Sequence, residues 1–325
     1  MTRLNELRLI ARVAQMYHVE HQRQSTIARH LRISQATISR MLKRAQEEEI
    51  VRTTVVSPSG IYSDLEEGLR LKYDIKEAIV VECSEDRDGA IMSRIGEAAA
   101  HFLEATLQPD EIIGVSSWSE TVLKMVENIH PLKLGRAKYV VQTLGGMGDP
   151  TVQMHANHLT TRLAKLTGAE PRMLSAPGVA QSREAKLVLL GDSYLRATMD
   201  LFSKITLAIV GVGTVAPSDM LARSGNVFTS HELSAVQEAG GTGDISLRFF
   251  DTHGNPIKSA LDDRVIGMTL EELAKVDRVI AVAGGHSKTP AIHGALKSKV
   301  IDLLITDKFT AERLVTGAIK HDEGD

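Results

Sequence analysis

Between Gln24 and Gln46 the apolar positions fall into two short runs at helical spacing, separated by a brief polar break. Ile27, Ala28 and Leu31 share one side of a first helix, Arg32 to Ser34 fill the gap, and Ala36, Ile38, Met41, Leu42 and Ala45 recur on one side of a second helix. The pattern predicts a helix-turn-helix. Upstream, Leu4, Leu7, Ala11 and Ala14 line one side of a helix over 4–17 that would pack behind the pair. Residues 50–56 alternate as a short strand until Ser57-Pro58-Ser59-Gly60 breaks it. Residues 1–60 therefore read as a winged three-helix domain. Ser63 is placed to cap a helix carrying Leu65, Leu69 and Leu71, a connector over 61–76.

From Ile79 onward the period changes. Short β-branched segments at Ala78 to Glu82, Ile112 to Ser116, Tyr139 to Thr143, Arg172 to Leu174, Thr206 to Gly211, Ile245 to Phe250, Arg278 to Val282 and Ile301 to Ile305 alternate with amphipathic stretches. In one of these, Val152, Ala156, Leu159, Leu163 and Leu166 share a face. Near-continuous apolar strands between such helices predict an α/β fold over 77–325, a mainly parallel, doubly wound sheet covered on both sides. In such sheets ligands bind beyond the carboxyl ends of the strands.

Charge separates the two parts. Residues 1–60 hold ten Lys and Arg against five Asp and Glu, whereas the rest of the chain is mildly acidic and the total is −3. A protein that coats polyanions uniformly is excluded, and any DNA binding has to rest on the geometry of one module. On the second helix Ser34 is a plausible N-cap. Gln35, Ala36, Thr37, Ser39, Arg40, Lys43 and Arg44 complete the candidate DNA-binding set, a mixture suited to base edges and phosphates with no carboxylate before Glu47. Two ordinary amphipathic helices with a solvated basic side are the alternative reading. No apolar run is long enough to span a membrane, and no signal peptide or lipidation motif is present. The single Cys83, inside an apolar run, reads as a buried thiol, and a reducing cytoplasm fits.

Three predicted strands end in glycines: Leu144-Gly145-Gly146-Met147-Gly148-Asp149-Pro150, Gly211-Val212-Gly213-Thr214 and Gly284-Gly285-His286-Ser287-Lys288. On one rim they would let backbone N–H groups approach an anion at helix N-termini, although tight strand-to-helix turns need glycine anyway. Lys288 sharpens the reading. A cation in the first turn of a helix opposes the helix dipole by about 0.3 to 1 kcal/mol, so a bound phosphate is its natural partner. Asp244 could accept protons from sugar hydroxyls, pair with Lys288 or cap a turn. Asp149 reads as a structural cap before Pro150. His155, His158, His286 and His293 form no convincing metal set.

The order of STIARHLRISQATISRMLKRAQEEEIV, IIGVSSWSET, TLGGMGD, SAPGVA, IVGVGT, GGTGDISLRFFD and AVAGGHSKTPAIHGALKSKVIDLLITD resembles the SorC family of sugar-binding bacterial transcriptional regulators over residues 5–317. The resemblance implies an effector domain similar to sugar-phosphate isomerases and deaminases. That domain would bind a phosphorylated sugar or polyol and control an oligomer's grip on the operator of a carbohydrate or polyol catabolic operon. It places Gly145, Gly146 and Gly148 on the phosphate side and sets Asp244 and Lys288 beside the ligand. Ser116, Ser117, Trp118 and Thr121 fall in a facing loop, and Gly213 lies on the same rim. Arg32 and Glu49 stand where the family usually has Gly, and Ser117-Trp118-Ser119-Glu120 is bulkier than the usual loop. One module covers one half-site, so a dimer or tetramer is expected. A sugar-phosphate enzyme fused to a DNA module is the alternative, but no acid–base constellation beyond Asp244 supports it. No cofactor or metal is expected.

Overall fold

The computed structural model describes residues 3–51, 58, 60–116, 118–132 and 137–319, apart from the side chains of 151, 152 and 155. The chain divides into two compact units, Met1–Pro58 and Ser59–Asp325.

In the first unit α1 (Arg3–Ala14) runs on into one π-helical turn, Gln15–Val19, and is followed by α2 (Gln24–Leu31) and α3 (Gln35–Glu47). Ile10, Val13, Met16, Ile27, Ile38, Leu42 and Ala45 are buried, so each helix turns its apolar stripe inward, onto two small clusters that Met41 adjoins. Ser34 caps α3, its hydroxyl accepting from the Thr37 N–H at 3.1 Å. Arg32 takes the left-handed conformation (φ 56°) at the end of α2, the conformation for which glycine is the usual choice. Of the expected strand over 50–56, Ile50 and Val51 form a bend, and residues 52–57 lie outside the described ones.

The second unit opens with α4 (Ser63–Tyr73), which begins at Ser63 with Tyr62 in the cap position. There follow β1 (Glu77–Val81), α5 (Asp88–Thr106), β2 (Ile112–Val115), α6 (Glu120–Asn128), β3 (Tyr139–Gln142), α7 (Pro150–Thr167) and β4 (Glu170–Arg172). Next come α8 (Arg183–Leu189), α9 (Ser193–Met199), β5 (Leu207–Val210), β6 (Gly213–Thr214), α10 (Asp219–Ser224) and α11 (Ser230–Glu238). The chain continues with β7 (Gly241–Ile245), β8 (Arg248–Asp251), α12 (Leu270–Leu273), β9 (Arg278–Val282), α13 (Thr289–Lys297), β10 (Leu303–Asp307) and α14 (Lys308–Thr316).

Seven strands form one parallel sheet in the order β1-β10-β9-β5-β2-β3-β4. Alternate residues feed opposite cores: Leu207 and Ile209 join one cluster, Ala208 and Val210 the other, as a sheet covered on both faces requires. From β2 the chain steps to β3 and β4, whereas from β5 it steps the other way to β9 and β10. The order therefore reverses between β2 and β5, the switch point at which a crevice opens beyond the strand ends.

The expected strand Ile245 to Phe250 is a correction: it is two strands, β7 and β8, paired antiparallel in a smaller sheet with β6. Ser246 (φ 54°) and Leu247 (φ 63°) make the two-residue turn between them, a pair of left-handed residues without the Asn-Gly that usually announces such a turn. Asp244 supports it, its Oδ2 accepting from the Leu247 N–H at 2.7 Å. The expected strand at Arg172 to Leu174 is found at Glu170–Arg172, and that at Ile301 to Ile305 at Leu303–Asp307.

Candidate functional site

A cavity of about 310 Å³ opens at the switch point, the size range of small-molecule sites. Ser116 after β2, Gly211 to Thr214 after β5, Gly284 after β9, and Asp244, Ser246 and Leu247 of the hairpin line it. The starts of three long helices reach it as well: Asp88 of α5, the cap Ser119 of α6 and the cap Lys288 of α13. Their dipoles direct partial positive charge at the space, and first-turn Asp88 and Glu120 offset part of it. Trp118, Leu144, Val212, Leu221 and Leu247 supply an apolar wall.

Asp244 is the buried charge of the site. Burial pushes its carboxyl up to about 6, opposed by the Leu247 N–H and by the Lys288 ammonium. Gly213 is paired opposite Asp244 in the β6–β7 ladder, and a Cβ at Gly213 would strike the Asp244 Oδ1. Lys288 is half-buried, and among the described residues its ammonium forms no hydrogen bond or ion pair. Ser287 donates to the Asp88 carboxylate at 3.2 Å. Gly285 (φ 105°) makes the turn into α13 that leaves Lys288 at its start.

The sequence-predicted effector residues thus separate. Ser116, Trp118, Gly213, Asp244 and Lys288 come together around the cavity. Gly145, Gly146, Gly148 and Thr121 do not line it. A Cβ on Gly145 would press the Pro177 carbonyl and the Ala176 oxygen, the latter at 2.6 Å, and one on Gly148 would meet the Asn226 amide nitrogen at 2.9 Å. Gly148 lies instead on a separate groove with Pro177 and Asn226. Thr121 is buried in the first turn of α6, and Ser117 lies outside the described residues. Trp118 links the two regions: it lines the cavity and its indole N–H donates to the Gly145 carbonyl at 2.8 Å. Sequence reasoning missed Asp88, and it named Ser119, Glu120 and Ser287 only within the facing loop and the third glycine-bearing strand end, without a role of their own. Asp88, Ser119 and Glu120 stand at helix starts.

In the first unit α3 exposes Gln35, Ala36, Ser39, Arg40 and Lys43, so Ala36 belongs to the outer face and not to the packed one. Thr37 is half-buried, its hydroxyl shared by Ser34 at 2.8 Å and Arg40 at 3.4 Å. Lys43 lies 3.9 Å from Glu47. Arg44 is held by the Glu6 carboxylate of α1 and lies 3.6 Å from Glu48. The pairing raises the guanidinium's pKa and lowers that of Glu6, in each case first through the hydrogen bond between them.

A helix-turn-helix pair on one unit and a ligand-sized crevice at the switch point of an α/β sheet on the other define a class: DNA-binding regulators that carry a small-molecule site. Residues 58–316 match the model of the family described as "Putative sugar-binding domain". The deoxyribonucleoside regulator of Bacillus subtilis is 32% identical, the match covering 93% of this chain and 95% of that one. The erythritol catabolism regulatory protein of Brucella abortus is 28% identical over 94% and 96%. The crystal structure of the full-length sorbitol operon regulator of Klebsiella pneumoniae superposes with a TM-score of 0.71 at 28% identity, over 95% of this chain and 98% of that one. The chain belongs to the SorC family of sugar-binding transcriptional regulators. These relatives are named as regulators and not as enzymes, which sets aside the enzyme alternative.

Proposed function

We propose that the protein regulates a carbohydrate or polyol catabolic operon, and that a phosphorylated sugar or polyol in the cavity sets the operator affinity of a homo-oligomer. The observation that carries this reading is the Lys288 ammonium at the start of α13, which among the described residues forms no hydrogen bond or ion pair and lines the same cavity as Asp244. A phosphate there satisfies both the ammonium and the helix dipole. Hydroxyls then donate to Asp244, and the apolar face of the sugar rests on Trp118 and Leu247. The relatives' names, which refer to sorbitol, erythritol and deoxyribonucleosides, fit a sugar or polyol ligand. In this reading residues 1–60 hold DNA, 61–76 connect and 77–325 bind effector. Gln35, Ser39 and Arg40 read base edges, Ala36 meets a thymine methyl, Lys43 takes a phosphate, and Arg44 braces α3 against α1. The effector acts by favouring one of two states that differ in DNA affinity.

The test is a melting screen of sugar and polyol phosphates beside their unphosphorylated forms, with Trp118 fluorescence as a second readout. A true effector at 100 times its Kd stabilises by about 2.7 kcal/mol. Lys288→Met is expected to cost about 1.5 to 3 kcal/mol of affinity, roughly 10- to 100-fold, for the phosphorylated form only. Equal binding of both forms, with Lys288→Met indifferent, overturns the phosphate assignment.

A further inference from the structure

Among the described residues the charged side chains that line the cavity are Asp88, Glu120, Asp244 and Lys288, so three carboxylates face one ammonium. They are spread unevenly over the three helix starts. α5 carries Asp88 and α6 carries Glu120 in the first turn, each an acid that offsets the positive end of its own helix. α6 is also closed by Ser119, whose hydroxyl accepts from the Val122 N–H at 3.3 Å. α13 has no acid in its first turn and no side-chain cap, and its cap residue is Lys288. One start is therefore open to an anion, while the chain supplies a negative charge of its own at the other two.

Asp88 stands against the turn into α13: its Oδ2 accepts from the Ser287 hydroxyl at 3.2 Å, and a Cβ on Gly285 would come within 2.5 Å of its Oδ1. Glu120 is half-buried, and among the described residues its carboxylate forms no hydrogen bond or ion pair. Neither carboxylate is paired with a cation among those residues. A phosphate at Lys288 meets an ammonium and an open helix start. A second phosphate on the same sugar has to lie among the carboxylates of Asp88, Glu120 and Asp244, and like charges brought together reject a ligand as effectively as opposite charges hold one. Hydroxyls in the same place donate to the carboxylates instead.

We infer that Asp88 and Glu120 determine specificity, admitting effectors with one phosphate and rejecting bisphosphates. The inference rests on the phosphate reading above and narrows its ligand class. Thermal-shift and Trp118-fluorescence titrations of the full chain with fructose bisphosphate and ribulose bisphosphate, each beside its monophosphates, test it. Inorganic phosphate and pyrophosphate form a further pair, which carries the comparison where neither sugar fits. In wild type each bisphosphate is expected to bind at least about tenfold more weakly than the better of its monophosphates, a gap that shrinks as salt screens the carboxylates. Asp88→Asn combined with Glu120→Gln keeps both side-chain volumes and an acceptor for Ser287. That variant is expected to bind both classes more tightly, with the bisphosphate gaining about tenfold more than the monophosphate. The salt series uses the wild-type chain, so it decides the matter even where the double variant is unstable. A gap that neither salt nor the double variant reduces places the selectivity in the size of the cavity and overturns the inference. Equal binding of both classes by wild type also overturns it, and leaves the phosphate reading intact. A protein that binds no phosphate, inorganic phosphate included, overturns both.

Discussion

The loop after β3 and the loop after β5 look alike in sequence, since each leaves a parallel strand through closely spaced glycines, yet they do opposite things. After β5, Gly211 and Gly213 lie on the cavity, and a Cβ there would strike the polar side chains of Ser119 and Asp244. After β3, Gly145 is pressed against the main chain of residues 176–177, and the Gly146 and Met147 N–H groups donate to Leu174 and Ala176. The first loop clears room for side chains that line the cavity, and the second lets two backbones touch. A strand-end glycine therefore identifies a binding site only through what its missing side chain would displace.

Alanine at the two positions is the most severe way to break this contrast. Gly145→Ala forces a methyl group into backbone that cannot turn away, and is expected to cost about 3 kcal/mol, a melting shift of roughly 10 °C. Gly213→Ala displaces the Asp244 carboxylate instead, so effector response should disappear at a smaller stability cost. Calorimetry and effector titration of both variants check this, and a Gly145→Ala protein of normal stability that has lost its effector would return the β3 loop to the site.

What the sequence made legible follows the same division. The α/β alternation was readable because buried parallel strands are apolar throughout, and the helix-turn-helix because its stripe has one period. Asp244 and Lys288 could be picked out since a carboxylate and an ammonium beside glycines at strand ends are chemically conspicuous. The hairpin β7–β8 was hidden because Ser246-Leu247 carries no turn signal and its support, the Asp244 side chain, acts across the turn. Which glycine loop faces the cavity was hidden as well, because it depends on Pro177, far away in sequence.

The first unit repeats the contrast with arginines. Arg40 and Arg44 lie one turn apart on α3, but Arg40 is exposed and among the described residues its side chain hydrogen-bonds to Thr37 alone, while Arg44 is held by Glu6 and Glu48. Arg40→Ala is expected to weaken specific operator binding by about 1 to 3 kcal/mol without altering the melting curve. Arg44→Ala should lower stability and affect all DNA sequences alike. A selective loss of operator recognition in Arg44→Ala would reverse their roles.

Asp244 sharpens the distinction between room made for a cavity and room made for packing, because a charge buried at a cavity can work against the fold that holds it. Its carboxyl holds a proton more tightly in the folded chain, where the pKa is about 6, than in the unfolded chain. The stability it contributes is therefore present in acid and is lost as pH rises through 6. Asp244→Asn keeps an acceptor for the Leu247 N–H and removes the buried charge. The variant is expected to be more stable than wild type by about 1 kcal/mol at pH 7, with the gap closing towards pH 4, and to lose its effector response. A pH-independent gap in melting temperature would show that the carboxylate is not what titrates.

The mildest test uses a glycine that is absent. Arg32 ends α2 at φ 56°, in the region where a β-carbon is strained, and its N–H donates to the Arg29 carbonyl at 3.4 Å. No neighbouring main chain requires glycine there in the way that Pro177 does at Gly145, so only the local conformation is at issue. Arg32→Gly relieves that strain, against a larger loss of backbone entropy on folding, and is expected to stabilise the first unit by roughly 0.5 to 1 kcal/mol. Arg32 is also exposed beside the start of α3, so its charge can meet a DNA phosphate. If it does, the stabilised variant binds all DNA sequences more weakly and with a salt dependence reduced by about one unit. A melting temperature that falls in Arg32→Gly would mean that the side chain supports the turn, and that the departure from glycine is structural and not a concession to DNA.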